Sequence, residues 1–400
     1  MLLLWALLKG TLMLNVSKLY CGVKSDGDAL RYKRFTSSNK STGQIKKPIV
    51  VWNITNRCNL HCAHCYANAN TCKNNKEFST YDAKNIIDDL ASFKIPVLLF
   101  SGGEPLLRND LPELIKHTVN NGMRAVVSTN GVLIDKSYAE RLKATKVTYV
   151  GISIDGMPSR HNKFRGDSTA YSKALSGIRA CIDTGLKVGL RFTIFKENYQ
   201  DLPYIFNFME NENIPRICLY HLVCSGRGES MKNDDLSIDQ KRKTMDLIIN
   251  KTKEFHDKGL NKEILTVDNH CDGVYLYLRM LKENNARTEK AIELLRINKG
   301  SSSGTGIASI NWDGSVYPDQ FWRNKVLGNV KDSSFDSIWN NPENEFLKKL
   351  RNRTKYLKGR CSTCKFLDIC GGNFRARAEA MTGDMWQSDP GCYITDEEIL

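Results

Sequence analysis

Apolar and polar positions alternate in a regular way between residues 49 and 260. Short runs rich in β-branched residues predict strands at 49–54, 97–100, 125–128, 147–154, 188–194 and 217–223. Stretches with apolar residues three and four apart predict helices at 81–93, 111–119, 137–142, 171–184, 202–209 and 237–255. Strands that are each followed by a helix predict an α/β fold with a parallel sheet, as a partial (β/α)6 TIM-like barrel or a doubly wound sheet.

The pattern divides the chain into four parts. Residues 1–48 are an N-terminal extension, of which 1–12 suggest a mis-called start because Met13 opens a more ordinary N-terminus. The apolar run at 1–8 is much shorter than the ~18 residues of a membrane span. Residues 49–260 form the predicted barrel, 261–300 a charged helical connector, and 301–400 a second domain of short strands, turns and cysteines.

The net charge of +14 arises entirely before residue 301, so the predicted barrel region is basic. A basic body raises the local concentration of anionic partners. A polycarboxylate small molecule and a merely solvated basic surface are the two interpretations that remain open. Nucleic acid is not expected, because no basic run is interleaved with aromatic residues as single-strand binding requires.

Three of the 13 cysteines, Cys58, Cys62 and Cys65, lie on the loop after the first predicted strand. The odd total argues against a disulfide framework, and the grouping favours metal binding in a reducing compartment, which predicts a cytoplasmic protein. Three thiolates can bind three irons of a cubane cluster and leave the fourth iron open for a ligand. Zinc, which prefers four closed ligands, is the alternative.

Glycines and polar residues end the next predicted strands, where barrel enzymes keep their active sites. The phrase SGGEP at 101–105 places two glycines where a ligand can approach the backbone closely. The candidates for a cofactor site at this edge are Gly102, Gly103, Glu104, Ser128, Asn130, Ser153, Asp155 and Arg191. For each polar residue, a simple turn cap is the alternative interpretation.

A second group of thiols lies near the C-terminus and consists of Cys361, Cys364, Cys370 and Cys392. Four thiolates make a closed metal site, which suits electron transfer better than direct ligation of a substrate. A zinc ribbon is the alternative, although the paired CxxC knuckles of such ribbons are absent. The remaining cysteines are expected to be core thiols: Cys21, Cys72, Cys181, Cys218, Cys224 and Cys271.

The spacing CxxxCxxC, together with GGEP, resembles the signature of the radical S-adenosylmethionine (SAM) superfamily, and the C-terminal group resembles its SPASM/twitch extension. The resemblance implies one 4Fe–4S cluster with SAM at the first three cysteines and one auxiliary 4Fe–4S cluster at the last four. A second auxiliary cluster is not expected, because Asp319 stands where a full SPASM domain has a cysteine. The resemblance also implies that the GGE loop binds the SAM amino group, that strand-end hydroxyls and Asp155 suit the ribose, and that Arg191 pairs with a carboxylate of SAM or substrate.

Longer phrases resemble one group of that superfamily, the radical SAM enzymes of siroheme-derived tetrapyrrole pathways. They include SKLYCG from residue 17, DALRYKR from 28, HNKFRG from 161 and PDQFW from 318. The likeness is nearest to the 12,18-didecarboxysiroheme deacetylase of the alternative heme pathway, with the heme d1 pathway enzyme as a close relative. It implies removal of two acetate side chains by a 5′-deoxyadenosyl radical to give Fe-coproporphyrin III. The alternatives are propionate removal from the same precursor and a SPASM peptide maturase.

A tetrapyrrole of this kind carries several carboxylates, which arginine binds bidentately. The candidate arginines beside strand-end loops are Arg165, Arg191, Arg216 and Arg227. His221, on the sixth predicted strand, is a candidate catalytic residue as an iron ligand or proton donor, with a structural histidine as the alternative. Tyr317 stands where the group usually has a histidine. The resemblance further implies an external electron donor, flavodoxin or ferredoxin, and no membrane span.

Overall fold

The computed structural model describes residues 13–32, 47–72 and 76–399. Its strands are β1 Met13–Asn15, β2 Ile49–Asn53, β3 Val97–Ser101, β4 Arg124–Thr129, β5 Tyr149–Ser153, β6 Val188–Ile194, β7 Arg216–His221, β8 Glu263–Val267, β9 Ile307–Ile310, β10 Ser315–Tyr317 and β11 Gly328–Asn329. Its helices are α1 Asp28–Tyr32, α2 Thr80–Ser92, α3 Leu111–Asn120, α4 Lys136–Ala144, α5 Pro158–Arg165, α6 Ala170–Asp183, α7 Leu202–Asn211, α8 Ile238–Asp257, α9 Cys271–Lys282, α10 Thr288–Asn298, α11 Phe335–Trp339, α12 Glu345–Arg351, α13 Leu367–Cys370, α14 Arg375–Thr382 and α15 Asp396–Ile399. Every predicted strand and helix between residues 49 and 260 is confirmed, with ends that differ by a few residues. The expectations for residues 1–12 and for the loop up to residue 46 lie outside the described residues.

The first helix after β2 shows why these segments fold as predicted. The Ser79 hydroxyl accepts a hydrogen bond from the backbone N–H of Asp82 and so caps the N-terminus of α2. Ile86, Ile87 and Leu90 recur at helical spacing and are buried in the layer between the helices and the sheet. The helix therefore covers the outer face of the sheet and leaves its polar face to solvent.

All strands belong to one sheet with the order β1-β8-β7-β6-β5-β4-β3-β2-β9-β10-β11. Strands β2 to β8 are parallel neighbours, while β1 runs antiparallel to β8 at one edge. At the other edge β9 pairs parallel to β2 and leads into the antiparallel β10 and β11. The expectation that the strand–helix alternation stops near residue 260 is wrong, because β8 lies within the predicted connector and extends the parallel sheet.

The sheet curls into a barrel. Val51 of β2, Cys218 of β7, Leu265 of β8 and Ile307 of β9 form one apolar cluster, although these strands lie far apart in the sheet order. Only a curved sheet brings its two ends together in this way. Alternate strand residues therefore face the barrel interior, and their neighbours face the helices. The structure thus decides for the TIM-like barrel over the doubly wound sheet. Among the described residues, no helix is long and apolar enough to cross a membrane.

Candidate functional site

The loop after β2 places three thiols at the carboxyl ends of the barrel strands. Cys58 and Cys62 are buried and Cys65 is half-buried, and all three pack in one small apolar cluster. The Cys58 Sγ accepts the backbone N–H of Leu60 at 3.4 Å, and the Cys62 Sγ accepts an Arg165 Nη1 hydrogen at 3.5 Å. Because N–H donors stabilise sulfur that carries negative charge, this donor set fits the thiolates of an iron–sulfur cluster.

The GGEP loop after β3 packs directly on the cysteine loop. The Gly103 N–H donates to the Thr55 carbonyl and the Glu104 N–H to the Arg57 carbonyl, both at 2.7 Å. A Cβ atom on Gly103 would lie 2.1 Å from the Arg57 carbonyl oxygen, and one on Gly102, whose φ is +136°, would lie 2.5 Å from the Thr55 oxygen. Both positions therefore require glycine for the close approach of the two loops.

Glu104 joins this loop to the end of β4. Its carboxylate is fully buried and accepts hydrogen bonds from the Thr129 hydroxyl at 2.7 Å and from the Asn130 N–H at 2.8 Å. Burial raises the pKa of Glu104 to about 7 in spite of these donors. The Asn130 side chain in turn donates to Asn59 Oδ1 at 2.8 Å. These bonds hold three loops in one arrangement at the barrel mouth.

A cavity of about 510 Å³ runs through the barrel interior, a volume within the range of about 300–1,000 Å³ for small-molecule sites. At the carboxyl ends of the strands it is lined by the three cysteines and by Gly102, Gly103, Ser128, Asn130, Ser153 and Arg191. The structure thus brings most of the predicted cofactor residues together around one space. Glu104 and Asp155 are buried behind it and do not line it.

Asp155 is engaged by the protein itself. Its Oδ1 accepts the Thr193 N–H at 2.8 Å, and its Oδ2 forms a short ion pair with Arg165. The charge of Arg165 holds the pKa of this buried carboxyl below its usual value against the opposing effect of burial. Arg165, which was predicted to bind substrate, instead links Asp155 to the Cys62 sulfur. Asp155 lies behind the cavity wall, whereas Arg165 still lines the cavity, and its binding of substrate stays a prediction.

The other candidate arginines have different surroundings. Arg191 lines the cavity, and its guanidinium lies 4.6 Å from the centre of the Tyr220 ring. Arg227 donates to the carbonyls of Cys62 and Ala69 at 2.9 and 2.7 Å and so holds the cysteine loop. Arg216 begins β7, at the opposite end of the barrel, and pairs with Glu263 at 3.4 Å. Arg216 therefore lines the cavity at the end away from the three cysteines, and its binding of a substrate carboxylate stays a prediction.

His221 is buried at the end of β7 and belongs to the cavity lining. The His221 Nε2 lies 2.9 Å from Asp272 Oδ2, and the other oxygen of Asp272 accepts the Tyr393 hydroxyl at 2.6 Å. This buried network fits the structural alternative, and the catalytic role of His221 stays a prediction.

The C-terminal thiols converge beside α9. Burial and the neighbouring thiols of Cys392, Cys361 and Cys364 raise the pKa of Cys370, which shows that the four lie close together. The Cys364 and Cys392 sulfurs accept backbone N–H groups two residues further on, as Cys58 does. This donor set also fits cluster-bound thiolates. Cys271, expected to be a plain core thiol, hydrogen-bonds to Cys392 and so adjoins this site.

Asp319, which stands in place of a further cysteine, has structural partners. Its carboxylate accepts the N–H groups of Phe321 and Trp322 at 2.8 and 3.0 Å and bonds to the Ser303 hydroxyl. Tyr317 is buried in β10, with the Arg323 guanidinium 6.0 Å from its ring centre. Asp319 thus orders the turn that carries Gln320 and Phe321 into the cavity lining.

One cavity residue was missed by the sequence analysis. Asp268 follows β8 directly, is fully buried and lines the cavity. The strand that positions it was not predicted, because β8 is a short apolar run among charged residues. No motif marks Asp268, and a lone acidic residue after an unrecognised strand gives no signal in the sequence.

The barrel, the three-thiol loop at its mouth and the four-thiol group beside it define an iron–sulfur enzyme of the α/β-barrel class. Residues 52–209 match the radical SAM superfamily, and residues 302–365 match SPASM, an iron–sulfur cluster-binding domain. The chain belongs to the radical SAM superfamily and, within it, to the group that contains the heme-synthesis enzymes. The predicted fold class, enzyme class and cofactors, SAM and 4Fe–4S clusters, are thereby confirmed.

Two curated relatives illustrate the match. The Fe-coproporphyrin III synthase of Methanosarcina barkeri is 52% identical over 97% of this chain and 99% of that protein. The pre-heme d1 synthase of Dinoroseobacter shibae is 40% identical over 88% of this chain and 87% of that protein.

Solved structures share the fold at low sequence identity. Streptococcus suis SuiB bound to S-adenosylmethionine superposes with a TM-score of 0.70 at 16% identity, covering 89% of this chain and 80% of that chain. The protein anSMEcpe with bound AdoMet has a TM-score of 0.66 at 20% identity, covering 88% of this chain and 96% of that chain.

Proposed function

We propose that this chain removes two acetate side chains from 12,18-didecarboxysiroheme and so produces Fe-coproporphyrin III. The observation that carries the proposal is the cavity, which joins a three-thiol cluster site to an arginine-bearing interior in a chain 52% identical to an Fe-coproporphyrin III synthase. The match extends over 97% of the chain.

In this proposal Cys58, Cys62 and Cys65 hold the cluster that binds SAM, and the four C-terminal cysteines hold one auxiliary cluster. When bound, the first cluster and SAM supply a 5′-deoxyadenosyl radical, which takes a hydrogen atom from the substrate. The chain itself positions these groups. Gly102 and Gly103 leave backbone room for the SAM amino group, and Ser128, Asn130 and Ser153 offer polar groups at the same edge of the cavity.

The substrate is placed by charge and by flat apolar contact. Arg191 lines the cavity and has no hydrogen-bonded partner in the described part of the chain, whereas Arg227 is engaged by the carbonyls of the cysteine loop, so we assign Arg191 to a carboxylate of substrate or SAM. Tyr66 and Phe321 meet edge to face at 5.2 Å and line the cavity with Leu222 and Val223. Such side chains pack against a macrocycle face and exclude water from the reacting carbons.

We also propose a cellular compartment and an electron donor for the reaction. All 13 cysteines lie in the described residues and none of them forms a disulfide, which suits a reducing compartment, and we place the enzyme in the cytoplasm. Generating the radical takes one low-potential electron from outside the chain, and we assign this role to a flavodoxin or ferredoxin.

The test is an anaerobic reaction of the reconstituted enzyme with 12,18-didecarboxysiroheme, SAM and dithionite, followed by mass spectrometry of the tetrapyrrole. Loss of two acetate units with formation of 5′-deoxyadenosine is the expected result. Loss of propionate carbon would assign the heme d1 reaction instead, and an unchanged tetrapyrrole despite SAM cleavage would point to a peptide substrate. Replacing Cys58, Cys62 and Cys65 by alanine should abolish the reaction. Cys72→Ser, at an exposed thiol nearby, is the matched control.

A further inference from the structure

Asp268 is an unusual residue in the cavity wall. It lies at the carboxyl end of β8 with a φ of +65°, a left-handed backbone that Asp adopts more readily than most residues. It is 0% exposed, and within the described part of the chain neither of its carboxyl oxygens has a hydrogen-bond partner. Buried polar groups are normally paired, so an unpaired carboxyl facing a ligand cavity calls for an explanation.

The other buried acids near the site are all bound. Asp155 pairs with Arg165, Asp272 with His221, and Asp389 with Arg377. Arg377 also approaches Asp268, but it donates to the backbone carbonyl at 3.0 Å and not to the carboxyl group. Among these four buried acids of the described residues, Asp268 alone lacks a hydrogen-bond donor, and it also lines the cavity.

The groups around Asp268 favour its neutral form. Burial and the negative charge of Asp319 raise the pKa of Asp268 to about 8, against the smaller opposing effects of Arg377 and Arg191. The Tyr220 ring, also in the cavity lining, adds no charge. At neutral pH the residue is a carboxylic acid that holds a proton beside the substrate space.

We propose that Asp268 is the acid that protonates the two-carbon side chain as it leaves the macrocycle. The inference rests on the proposed function. After a hydrogen atom has been removed from the neighbouring ring carbon, the bond between the ring and the acetate methylene breaks and a ring double bond forms. The departing fragment is then a carbon radical. This radical becomes acetate when it takes up one electron, which the external reductant would supply, and the proton of Asp268, and water then reprotonates the Asp268 carboxylate.

The experiment compares wild-type enzyme, Asp268→Asn and Asp268→Glu in single anaerobic runs with 12,18-didecarboxysiroheme, SAM and dithionite. Each run measures 5′-deoxyadenosine, acetate and cluster absorbance, and a parallel run is made in D2O. Asp313→Asn, at a turn outside the cavity, is the matched carboxyl-to-amide control.

We expect Asp268→Asn to form 5′-deoxyadenosine within a few-fold of wild type but to release acetate at least about 100-fold more slowly, since a positioned acid contributes about 10²–10⁴-fold. Asp268→Glu should restore part of the release, and Asp313→Asn should match wild type. Acetate from wild type in D2O should carry one deuterium from the exchanged acid.

Three results would overturn the proposal. The first is acetate release at the wild-type rate by folded Asp268→Asn. The second is acetate without deuterium from wild-type enzyme in D2O, a result that does not depend on whether the variants keep their clusters. The third is an altered absorption spectrum of the bound tetrapyrrole in Asp268→Asn, which would make Asp268 an iron ligand. A wild-type enzyme that releases no acetate would refute the proposed function itself, and this inference with it.

Discussion

Gly103 is the position at which the smallest possible change should disable the site. In Gly103→Ala the new methyl group would lie 2.1 Å from the Arg57 carbonyl oxygen, whereas Cβ contacts under 3.0 Å essentially do not occur. The obstacle is backbone on both sides, so the GGEP loop and the cysteine loop must separate by about 1 Å. The N–H bonds of Gly103 and Glu104 to the cysteine loop would lengthen with them.

A displacement of about 1 Å at a reacting centre costs about 100-fold in rate, which corresponds to about 3 kcal/mol in the activation free energy. We therefore expect Gly103→Ala to form 5′-deoxyadenosine about 100-fold more slowly than wild type under dithionite, measured by chromatography per mole of intact cluster. Gly122→Ala is the control, because Gly122 has a φ of +79° but no atom within 4 Å of the added methyl. Wild-type rates in Gly103→Ala would refute the claim that this loop contact positions the cofactor.

Three further predictions concern buried charged and polar groups. Arg165→Gln leaves Asp155 buried without its cation, so the free energy of unfolding in urea should fall by about 3–5 kcal/mol; an unchanged midpoint would contradict the pairing. His221→Asn should lower the unfolding free energy by about 1–3 kcal/mol through the loss of the Asp272 contact while leaving the spectrum of bound tetrapyrrole unchanged; a shifted spectrum would restore His221 as an iron ligand. The rate of acetate release should fall as pH rises through about 8, where Asp268 loses its proton. In Asp319→Asn this fall should occur at lower pH, because a neighbouring negative charge is removed. A fall that stays at the same pH would refute the assignment.

The sequence predicted the barrel well because its strands are continuous apolar runs between clear turn signals. Ile49–Asn53 and Val188–Ile194 are buried on both faces and need no tertiary context to be recognised. Glu263–Val267 was missed because a short strand that starts with a charged residue looks like part of the connector. Its place in the sheet depends on pairing with β7, which is a long-range property.

The sequence predicted most of the residues that form the site but not which of them contact one another. The positions of the motifs after the strands predicted that the cysteines and glycines lie together at the barrel mouth, because parallel strands share one carboxyl edge. His221 lines the cavity but also lies 2.9 Å from Asp272, and this contact depends on how α9 packs against the end of β7, which the sequence does not show. The pairing of Arg165 with Asp155 depends on the path of α5, which the sequence did not predict.

The central claim is that Cys58, Cys62 and Cys65 hold the cluster at which SAM reacts. Electron paramagnetic resonance of the dithionite-reduced protein, with and without SAM, tests it most directly when wild type is compared with the variant in which all three are alanine. We expect SAM to change part of the wild-type signal, and the variant to keep only the auxiliary signal, which SAM leaves unchanged. A SAM-sensitive signal that persists in the variant would contradict the account.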